Sequence, residues 1–261
     1  MENDGVVVVV GTGEIGRPLL NILSRKFDCV AVDIKPVEIS KPCSVLHICY
    51  PFLIPDFIGT TIGYINKYQP GLTIINATVA PGTTRKLQEA IGDRALAYSS
   101  VRGKHVKMEA DLFRYKKFVG ACRPNVLDQA LDHFKRAGFK TAAFRTPELA
   151  ELSKLLETTY LGILIAWAQE VERLAAQYDG TFEEVNAFIE EIDFLPSHIF
   201  PGQIGGHCVM PNIAILQTQL KSRFLDAVVE SNKRKEEQLL AGAARGRSSQ
   251  RKNLCVVLEG S

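Results

Sequence analysis

Val6-Val7-Val8-Val9-Val10-Gly11-Thr12-Gly13-Glu14-Ile15-Gly16 is the stretch that decides the fold of this chain of 261 residues. Five consecutive β-branched residues are typical of a central parallel strand that is buried on both faces. Three glycines follow at once with the spacing G-x-G-x-x-G, and Arg17–Leu23 has the pattern of a helix. Strand, glycines and helix in this order predict the first βα unit of a doubly wound α/β sheet of the Rossmann type.

The glycine turn predicts a dinucleotide site. Gly11 permits the tight turn, Gly13 lets a pyrophosphate approach the backbone, and Gly16 allows the helix to pack closely on the strand. The second strand ends at Asp33, whose carboxylate can accept hydrogen bonds from the adenosine ribose and repel a 2′-phosphate, so we expect NAD as the cofactor. The expected NAD-contacting residues in this part of the chain are Gly11, Thr12, Gly13, Glu14, Ile15, Gly16, Asp33 and Ile34.

Strand and helix patterns alternate as far as residue 145, which predicts a mainly parallel sheet in an NAD-binding domain of residues 1–145. Too few residues separate Asp33 from the third strand, Ser44–Cys49, for a crossover helix, so we expect an extended connection there. The third strand leads into Tyr50 and Pro51. Because ligands of such sheets lie at the carboxyl ends of strands, these two residues are expected beside the nicotinamide ring.

A long helix opens the second half of the chain. Thr146-Pro147 is a strong helix start, and helical spacing continues to residue 179 with Gly162 as an interruption. A helix that is apolar nearly all round must be buried by more than one neighbour. We therefore expect a homodimer formed through residues 147–179. The main apolar stripe consists of Leu149, Leu152, Leu156, Tyr160, Ile163 and Trp167.

The remaining pattern is helical. Thr181 and Glu184 have the spacing of a capping box, and a further helix is expected from about Pro211 to Ala241. Residues 146–242 therefore predict an all-helical dimerisation domain built on one long helix. Residues 243–261 are expected to be a disordered tail.

A cysteine follows a cluster of glycines late in the chain. Gly202, Gly205 and Gly206 precede Cys208, which lies near the start of the last predicted helix. Backbone N–H groups at a helix start lower the pKa of a thiol, which favours a reactive thiolate facing a ligand. The alternative is a small buried residue beside a glycine turn.

Composition excludes several classes of protein. A net charge of +2, with 46% hydrophobic and 23% charged residues, gives no reason to expect a nucleic-acid or membrane partner. No apolar run reaches the length of a membrane span, and no secretory signal precedes the first strand. The six cysteines show no metal-ligand spacing, so we expect no metal and a reducing, cytoplasmic setting.

Four motifs, taken in order, resemble the UDP-glucose/GDP-mannose dehydrogenase family over residues 5–235. They are Gly11–Gly16, Ala77–Thr84, the helix of Glu151–Glu157 that continues to Glu170, and Gly205–Cys208. The resemblance implies a Rossmann domain, a central helical dimerisation domain and a third domain that holds the nucleotide of a sugar substrate. Such enzymes oxidise a primary alcohol of the sugar to a carboxylate and reduce two NAD. Because the chain stops soon after the last helix, we expect a short form without the third domain, whose site a separate subunit could supply.

The resemblance also implies catalytic roles. Cys208 would be the nucleophile that captures the aldehyde as a thiohemiacetal, and Lys154 would stabilise the developing oxyanion. Thr78 would contact NAD and position the catalytic water or the substrate. Two further expected catalytic positions depart from the family pattern, since Thr158 stands where the family has Asn and Asn212 where it has an acid.

The loop that supplies the base for thioester hydrolysis in the family also differs. It reads Ser99-Ser100-Val101-Arg102 in this chain. The nearest candidate for a replacement base is His105, whose side chain titrates in the required range. Glu109 is a less direct candidate.

Three functions remain open. The first is an NAD-dependent oxidoreductase that oxidises an alcohol of a small molecule, a sugar derivative or a hydroxy acid, with Cys208 as covalent nucleophile. The second is a 3-hydroxyacid-type dehydrogenase or reductase with one hydride transfer and no covalent step. The third is an inactive NAD-binding subunit or assembly module. The number of NADH formed per substrate separates the first two, and NAD binding without turnover would favour the third.

Overall fold

The computed structural model describes residues 5–35, 37–103, 107–193, 195–206 and 208–244. The chain divides into two compact units, Met1–Lys154 and Leu155–Ser261, and the boundary falls within a long helix. The division into domains at residue 146 stays a prediction. Most of the predicted disordered tail lies outside the described residues.

The described residues of the first unit form a single sheet of seven strands, whose spatial order is β2-β1-β3-β4-β5-β6-β7. Neighbouring strands from β2 to β5 pair in parallel, as do β6 and β7, whereas β5 and β6 are antiparallel. The predicted doubly wound, mainly parallel α/β sheet is therefore confirmed. The strands are β1 (Val6–Val10), β2 (Cys29–Val32), β3 (Cys43–Ile48), β4 (Leu72–Ile75), β5 (Leu96–Tyr98), β6 (Lys117–Ala121) and β7 (Thr141–Ala143).

Helices cover both faces of this sheet. One face packs against α1, α4 and α5, and the other against α2, α3 and the start of α6. These helices are α1 (Gly16–Leu23), α2 (Phe57–Tyr68), α3 (Thr83–Ile91), α4 (Met108–Arg114), α5 (Pro124–Arg136) and α6 (Pro147–Ala176). The short helix α4 was not predicted from the sequence.

Strand β1 is the centre of the first unit. Its five valines are each at most 3% exposed, as a continuous β-branched run predicts. Val7 and Val9 belong to the core on the α1 face, and Val6, Val8 and Val10 belong to the core on the α2 face. Side chains alternate along a strand, so one strand contributes to both cores.

The topology has one switch point. Strands β2 and β3 lie on opposite sides of β1. The described residues that connect them, 33–35 and 37–42, contain no helix, in agreement with the expected extended connection. Ligands of open α/β sheets bind at such a reversal, outside the carboxyl ends of the strands. The carboxyl ends of β1 and β3 are therefore the part of this unit to inspect for a dinucleotide.

The second unit is helical where the structure describes it. It contains the rest of α6 together with α7 (Phe182–Glu190), α8 (Val209–Gln217) and α9 (Arg223–Ala244). Gly162, the interruption in the long helix, has a packing reason. A Cβ at Gly162 would lie 2.7 Å from Val209 Cγ1 and 3.4 Å from Val228 Cγ1, so only glycine lets α6 approach α8 and α9 this closely. The predicted capping box is confirmed, since Thr181 and Glu184 make both reciprocal hydrogen bonds.

The prediction of one helix from Pro211 to Ala241 is wrong. Helix α8 ends at Gln217, and α9 begins at Arg223. The hydroxyl of Thr218 donates to the carbonyl oxygen of Ile215 at 2.7 Å, which satisfies a carbonyl at the end of α8. Asp226 in the first turn of α9 favours a new helix start, because a negative charge there is stabilised by the helix dipole.

Among the described residues, no helix combines the length and the apolar character that crossing a lipid bilayer requires.

Candidate functional site

The glycine turn after β1 has the geometry that a dinucleotide site requires. Gly11 has a φ of +88°, and a Cβ there would lie 2.7 Å from the backbone nitrogen of Tyr50. A Cβ on Gly16 would lie 1.8 Å from the carbonyl oxygen of Gly11. A side chain at either position would therefore distort the turn. Gly13 differs, because no described heavy atom lies within 4 Å of the place of its Cβ, which leaves that side of the turn open.

The start of α1 faces the same turn. Ile15 is the N-cap residue; it makes no side-chain cap hydrogen bond, and the first turn of α1 contains no acidic residue. The dipole at the start of the helix favours an anion such as a pyrophosphate. The residues of the turn can therefore hold the phosphates of a dinucleotide.

Asp33 lies at the end of β2, next to the turn. Its Oδ2 accepts a hydrogen bond from the hydroxyl of Thr12 at 2.7 Å, which joins the ends of β1 and β2. Asp33 is exposed, and the side chain of the following Ile34 is 91% exposed. An exposed carboxylate and an exposed apolar side chain suit the ribose and the adenine of a dinucleotide, respectively.

Tyr50 follows β3 and contacts the turn through its backbone. Its hydroxyl lies 2.6 Å from Thr61 Oγ1 in α2, and burial raises the pKa of Tyr50 well above its usual value. The ring packs against Phe57. The side chain of Tyr50 is thus part of the packing of α2, whereas Pro51 is exposed.

Thr78 lies in the loop Ala77–Gly82 after β4, and its side chain is partly buried. The end of this loop is held by Glu151 of α6. Glu151 Oε2 accepts from the backbone N–H of Gly82 at 2.7 Å, and Oε1 accepts from the backbone N–H and the hydroxyl of Thr84 at 2.8 Å and 2.6 Å. The N-cap residue of α3 is Gly82.

Glu151 is fully buried and was not recognised from the sequence. Burial raises its pKa to about 7, against the opposing effect of the hydrogen bonds from Thr84 and Gly82. The signal in the sequence that could have found it is an acid three residues before Lys154, on the same face of the helix. Lys154 is partly buried and lies on α6, one turn before Thr158.

A buried lysine supports the loop that follows β5. Lys117 Nζ donates to the carbonyl oxygens of Ser99 and Ser100 at 2.6 Å and 2.9 Å, and to Asn76 Oδ1 at 3.3 Å. Burial lowers the pKa of Lys117 to about 7. The lysine thus fixes the backbone of the loop in which the family pattern places a base.

Two histidines continue this buried network. Asn76 Nδ2 lies 3.0 Å from His47 Nδ1, and His47 Nε2 lies 2.9 Å from His133 Nε2. Because the Asn76 amide donates to His47 Nδ1, His47 carries its proton on Nε2 and donates to His133. Burial lowers the pKa of both imidazoles, that of His133 to about 4. Both rings are therefore neutral near pH 7.

Of the two candidates for a replacement base, Glu109 is among the residues that the structure describes. His105 lies outside the described residues. Glu109 lies on α4, where its carboxylate accepts hydrogen bonds from Asn21 at 2.8 Å and from Arg25 at 2.7 Å. Glu109 is therefore engaged in a surface ion pair with Arg25, which follows the end of α1.

Cys208 belongs to the second unit, where it is the N-cap residue of α8. Its thiol lies at a helix start, as the sequence had suggested, although the helix begins at Val209 rather than near Pro211. His207 lies outside the described residues.

The loop before Cys208 is held by buried polar side chains of the same unit. Asn232 accepts a hydrogen bond from the N–H of Ile204 at 2.7 Å and donates to its carbonyl oxygen at 3.1 Å. Gln169 Nε2 donates to the carbonyl oxygen of Gly202 at 2.7 Å. The loop is therefore anchored to α6 and to α9, which restricts the backbone that leads to the thiol.

Thr158 and Asn212 are brought together. Asn212 Nδ2 donates to the hydroxyl of Thr158 at 2.9 Å, and that hydroxyl donates to the carbonyl oxygen of Leu155 at 3.0 Å. Asn212 lies in the first turn of α8 and is only 5% exposed. Its amide is thus a buried polar group with a partner.

Comparison with known proteins finds a matching family model and similar enzymes. Residues 148–234 match the model of the central domain of the UDP-glucose/GDP-mannose dehydrogenase family. The UDP-N-acetyl-D-mannosamine dehydrogenase of Pyrococcus horikoshii is 28% identical over 91% of this chain and 69% of that protein. The enzyme of the same name from Methanococcus vannielii is 24% identical over 80% of this chain and 49% of that protein.

This chain is therefore similar to the UDP-glucose/GDP-mannose dehydrogenase family in its central region, and to UDP-N-acetyl-D-mannosamine dehydrogenases over most of its length. The resemblance to this family, inferred from four short motifs, is thereby confirmed.

Solved structures show the same fold. The UDP-N-acetyl-D-mannosamine dehydrogenase of P. horikoshii has a TM-score of 0.78 at 21% identity, over 92% of this chain and 70% of that one. A UDP-glucose dehydrogenase from Pyrobaculum islandicum has a TM-score of 0.76 at 17% identity, over 94% and 73%. The 3-hydroxyisobutyrate dehydrogenase of Mycobacterium tuberculosis has a TM-score of 0.60 at 14% identity, over 94% and 89%.

Two departures from the family pattern are in contact with each other. The family pattern has Asn at position 158 and an acid at position 212, where this chain has Thr158 and Asn212. In this chain the amide side chain is at position 212 and not at position 158, and the hydrogen bond between the two side chains is 2.9 Å long. The pair keeps a polar contact between α6 and α8 without burying a carboxylate, which would cost free energy.

Proposed function

We propose that this chain is an NAD-dependent dehydrogenase that oxidises an alcohol of a sugar derivative, with Cys208 as a covalent nucleophile. The observation that carries the proposal is the glycine turn, because Gly11 and Gly16 admit no side chain and the side of the turn at Gly13 is open. The similarity of the chain to known dehydrogenases supports the same proposal. The named relatives act on UDP-sugars. We infer a substrate of that class for this chain.

The residues of the first unit fit NAD. The N–H groups at the start of α1 would bind the pyrophosphate, and Asp33 would accept hydrogen bonds from the adenosine ribose. Asp33 would repel the 2′-phosphate of NADP, which favours NAD. When bound, NAD supplies the acceptor for a hydride from the carbon that carries the alcohol. Lys154 and Thr78 would orient the substrate oxygen, and the Lys154 ammonium would stabilise negative charge on it.

Cys208 would act after the first oxidation. Its thiolate would attack the aldehyde carbon, forming a C–S bond and a thiohemiacetal oxygen that takes up a proton. Loss of the hydroxyl proton and of a hydride from this adduct, with a second NAD as the hydride acceptor, would leave a thioester. Water would then cleave the thioester to a carboxylate and the free thiol. The position of Cys208 at the N-terminus of α8 supports this role, because the helix start favours the thiolate.

The test measures NADH per substrate. We expect two NADH per molecule of a UDP-sugar in the wild type, and loss of the second in Cys208→Ala. Cys29→Ala, which removes a partly buried thiol of β2, serves as the matched control. Unchanged rate and stoichiometry in Cys208→Ala would exclude the covalent step. One NADH per hydroxy acid in the wild type would instead establish a 3-hydroxyacid-type dehydrogenase. This is the second candidate function because the fold resembles that of the M. tuberculosis 3-hydroxyisobutyrate dehydrogenase over 89% of the length of that enzyme.

We propose a homodimer formed through α6. Leu156, Tyr160, Trp167 and Leu174 are 48%, 56%, 59% and 49% exposed, and their spacing places them along one side of the helix. A second copy of the same stripe is the self-complementary surface that a two-fold dimer buries. A reducing, cytoplasmic setting is consistent with the five described cysteines, none of which forms a disulfide.

A further inference from the structure

We infer that Glu151 is a positioning residue, which fixes the Thr78 loop to helix α6 at the turn before Lys154. The inference rests on the proposed function, because Thr78 and Lys154 are the two residues that would orient the substrate oxygen. Glu151 itself would touch neither the substrate nor the cofactor.

The contacts of Glu151 tie the end of the loop to the helix. Both carboxylate oxygens are used, one by the N–H of Gly82 and the other by the N–H and the hydroxyl of Thr84, at distances from 2.6 Å to 2.8 Å. Gly82 is the last residue of the Thr78 loop and the N-cap of α3, where its φ is +90°. A side chain from α6 thus satisfies the N–H groups that a local cap would otherwise satisfy.

The position of Glu151 on α6 links the loop to the lysine. Residues three apart on a helix lie on the same face, so Glu151 and Lys154 are neighbours. Three hydrogen bonds at Glu151 limit rotation and sliding of α6 against the loop at that turn. The distance between Thr78 and the Lys154 side chain is thereby restricted within the first unit.

The chemistry of the contact is costly for a helix cap. A serine or aspartate would be strained at the φ of +90° that Gly82 adopts, so the cap of α3 comes from Glu151, a carboxylate with no exposed surface. Such a group must make up its lost hydration with charge-assisted hydrogen bonds. The free-energy cost of burying this carboxylate has a function if Glu151 aligns the Thr78 loop with Lys154 in addition to capping α3.

The same two helices offer a matched control. Glu148, one turn before Glu151, forms an ion pair with Arg85 of α3, with 2.5 Å between Glu148 Oε1 and Arg85 Nε. This pair also joins α6 to α3, but it is partly exposed, and neither of its residues belongs to the Thr78 loop. Removing it tests whether any α3–α6 contact has the effect expected for Glu151.

The experiment compares Glu151→Gln, Glu151→Asp and Glu148→Gln in the full chain. In Glu151→Gln an amide NH₂ replaces one acceptor oxygen, so the bond from Gly82 or from Thr84 is lost. We expect kcat to fall at least tenfold while the KM for NAD changes less than twofold, and Glu148→Gln to keep kcat within twofold. Glu151→Asp keeps the charge and should recover part of the loss. A kcat within twofold of wild type in both folded Glu151 variants would overturn the inference.

A second measurement does not depend on turnover. Mass spectrometry would follow two rates: amide hydrogen exchange in residues 78–84, and labelling of Lys154 by an amine-reactive reagent. Each rate should change at least threefold in Glu151→Gln and stay unchanged in Glu148→Gln. If no substrate is turned over, the proposed function fails while these signals still report the coupling. Exchange and labelling equal to wild type in the Glu151 variants would refute the coupling itself. If Glu151→Gln does not fold, Glu151→Asp decides by the same two signals.

Discussion

Lys117→Met should make the stability of the first unit less dependent on pH. Burial lowers the pKa of Lys117 from 10.5 to about 7 in the folded chain. Between these two values the unfolded chain binds more protons than the folded one, so the lysine adds stability as pH rises. The linkage relation gives a gain of about 2 kcal/mol from pH 6 to pH 8.5. The variant lacks this gain.

The difference between the two proteins is the quantity to measure. The raised pKa of Glu151 acts in the opposite direction, since its stabilising effect is lost as pH rises through about 7. That contribution is present in both proteins and cancels. The window ends at pH 8.5 because Cys43 and Cys49, whose pKa values are raised to about 11 and about 12, begin to lower stability near the pKa of the unfolded thiol.

The assay is urea unfolding at a series of pH values, with pulse labelling of the buried thiol of Cys49 at one fixed pH. Cys49 is 5% exposed and lies in the first unit, so its labelling reports the opening of that unit alone. The free energy of unfolding of the wild type relative to Lys117→Met should rise by about 2 kcal/mol from pH 6 to pH 8.5. Lys116→Met, which removes the adjacent exposed lysine, should parallel the wild type. Parallel curves for Lys117→Met would refute the assigned protonation of this lysine.

Three further outcomes can be checked. Asn212→Leu removes the amide that donates to the hydroxyl of Thr158 and should lower the free energy of unfolding by about 1–3 kcal/mol. Adding Thr158→Val to this variant should restore at least about 1 kcal/mol of that free energy in a double-mutant cycle. Strictly additive effects of the two substitutions would contradict the contact. Asp33→Ser should weaken NAD binding about tenfold, by the loss of one charge-assisted hydrogen-bond acceptor, and narrow the preference over NADP, as measured by calorimetry; equal affinities in variant and wild type would remove Asp33 from the site. Trp167→Glu should convert the dimer to a monomer in sedimentation velocity, and a dimer of unchanged affinity would exclude the stripe around Tyr160 and Trp167 as the interface.

Features of the fold that depend on neighbouring residues were predictable. The five valines, the glycine turn and the helix after it are consecutive, and each contributes a local signal of its own. The capping box of Thr181 and Glu184 is likewise local. The break between α8 and α9 was missed because the segment contains neither Gly nor Pro, and a threonine hydroxyl ends the helix instead. Helix α4, with seven residues, is too short to show a clear period.

The candidate site was predictable only where the family pattern or the strand ends pointed to it. The contact between Thr158 and Asn212 joins positions that the pattern had marked, although nothing in the sequence shows that they touch. The network of Lys117, His47 and His133 gave no signal, because its members are up to 86 residues apart and lie in strands and a helix of ordinary composition. Polar partners that meet only after folding have no fixed spacing along a chain.

Strand β1 has a consequence for how the first unit opens. Neighbouring valines of this strand belong to different cores, so neither helical layer can detach while the other stays intact without exposing apolar surface of the same strand. Unfolding of this unit is therefore expected to be a single cooperative event, with β1 among the last segments to exchange its amide hydrogens. The glycine turn is attached directly to this strand. A nucleotide bound there would be held by the most persistent part of the unit, and its binding would survive local opening elsewhere in the sheet.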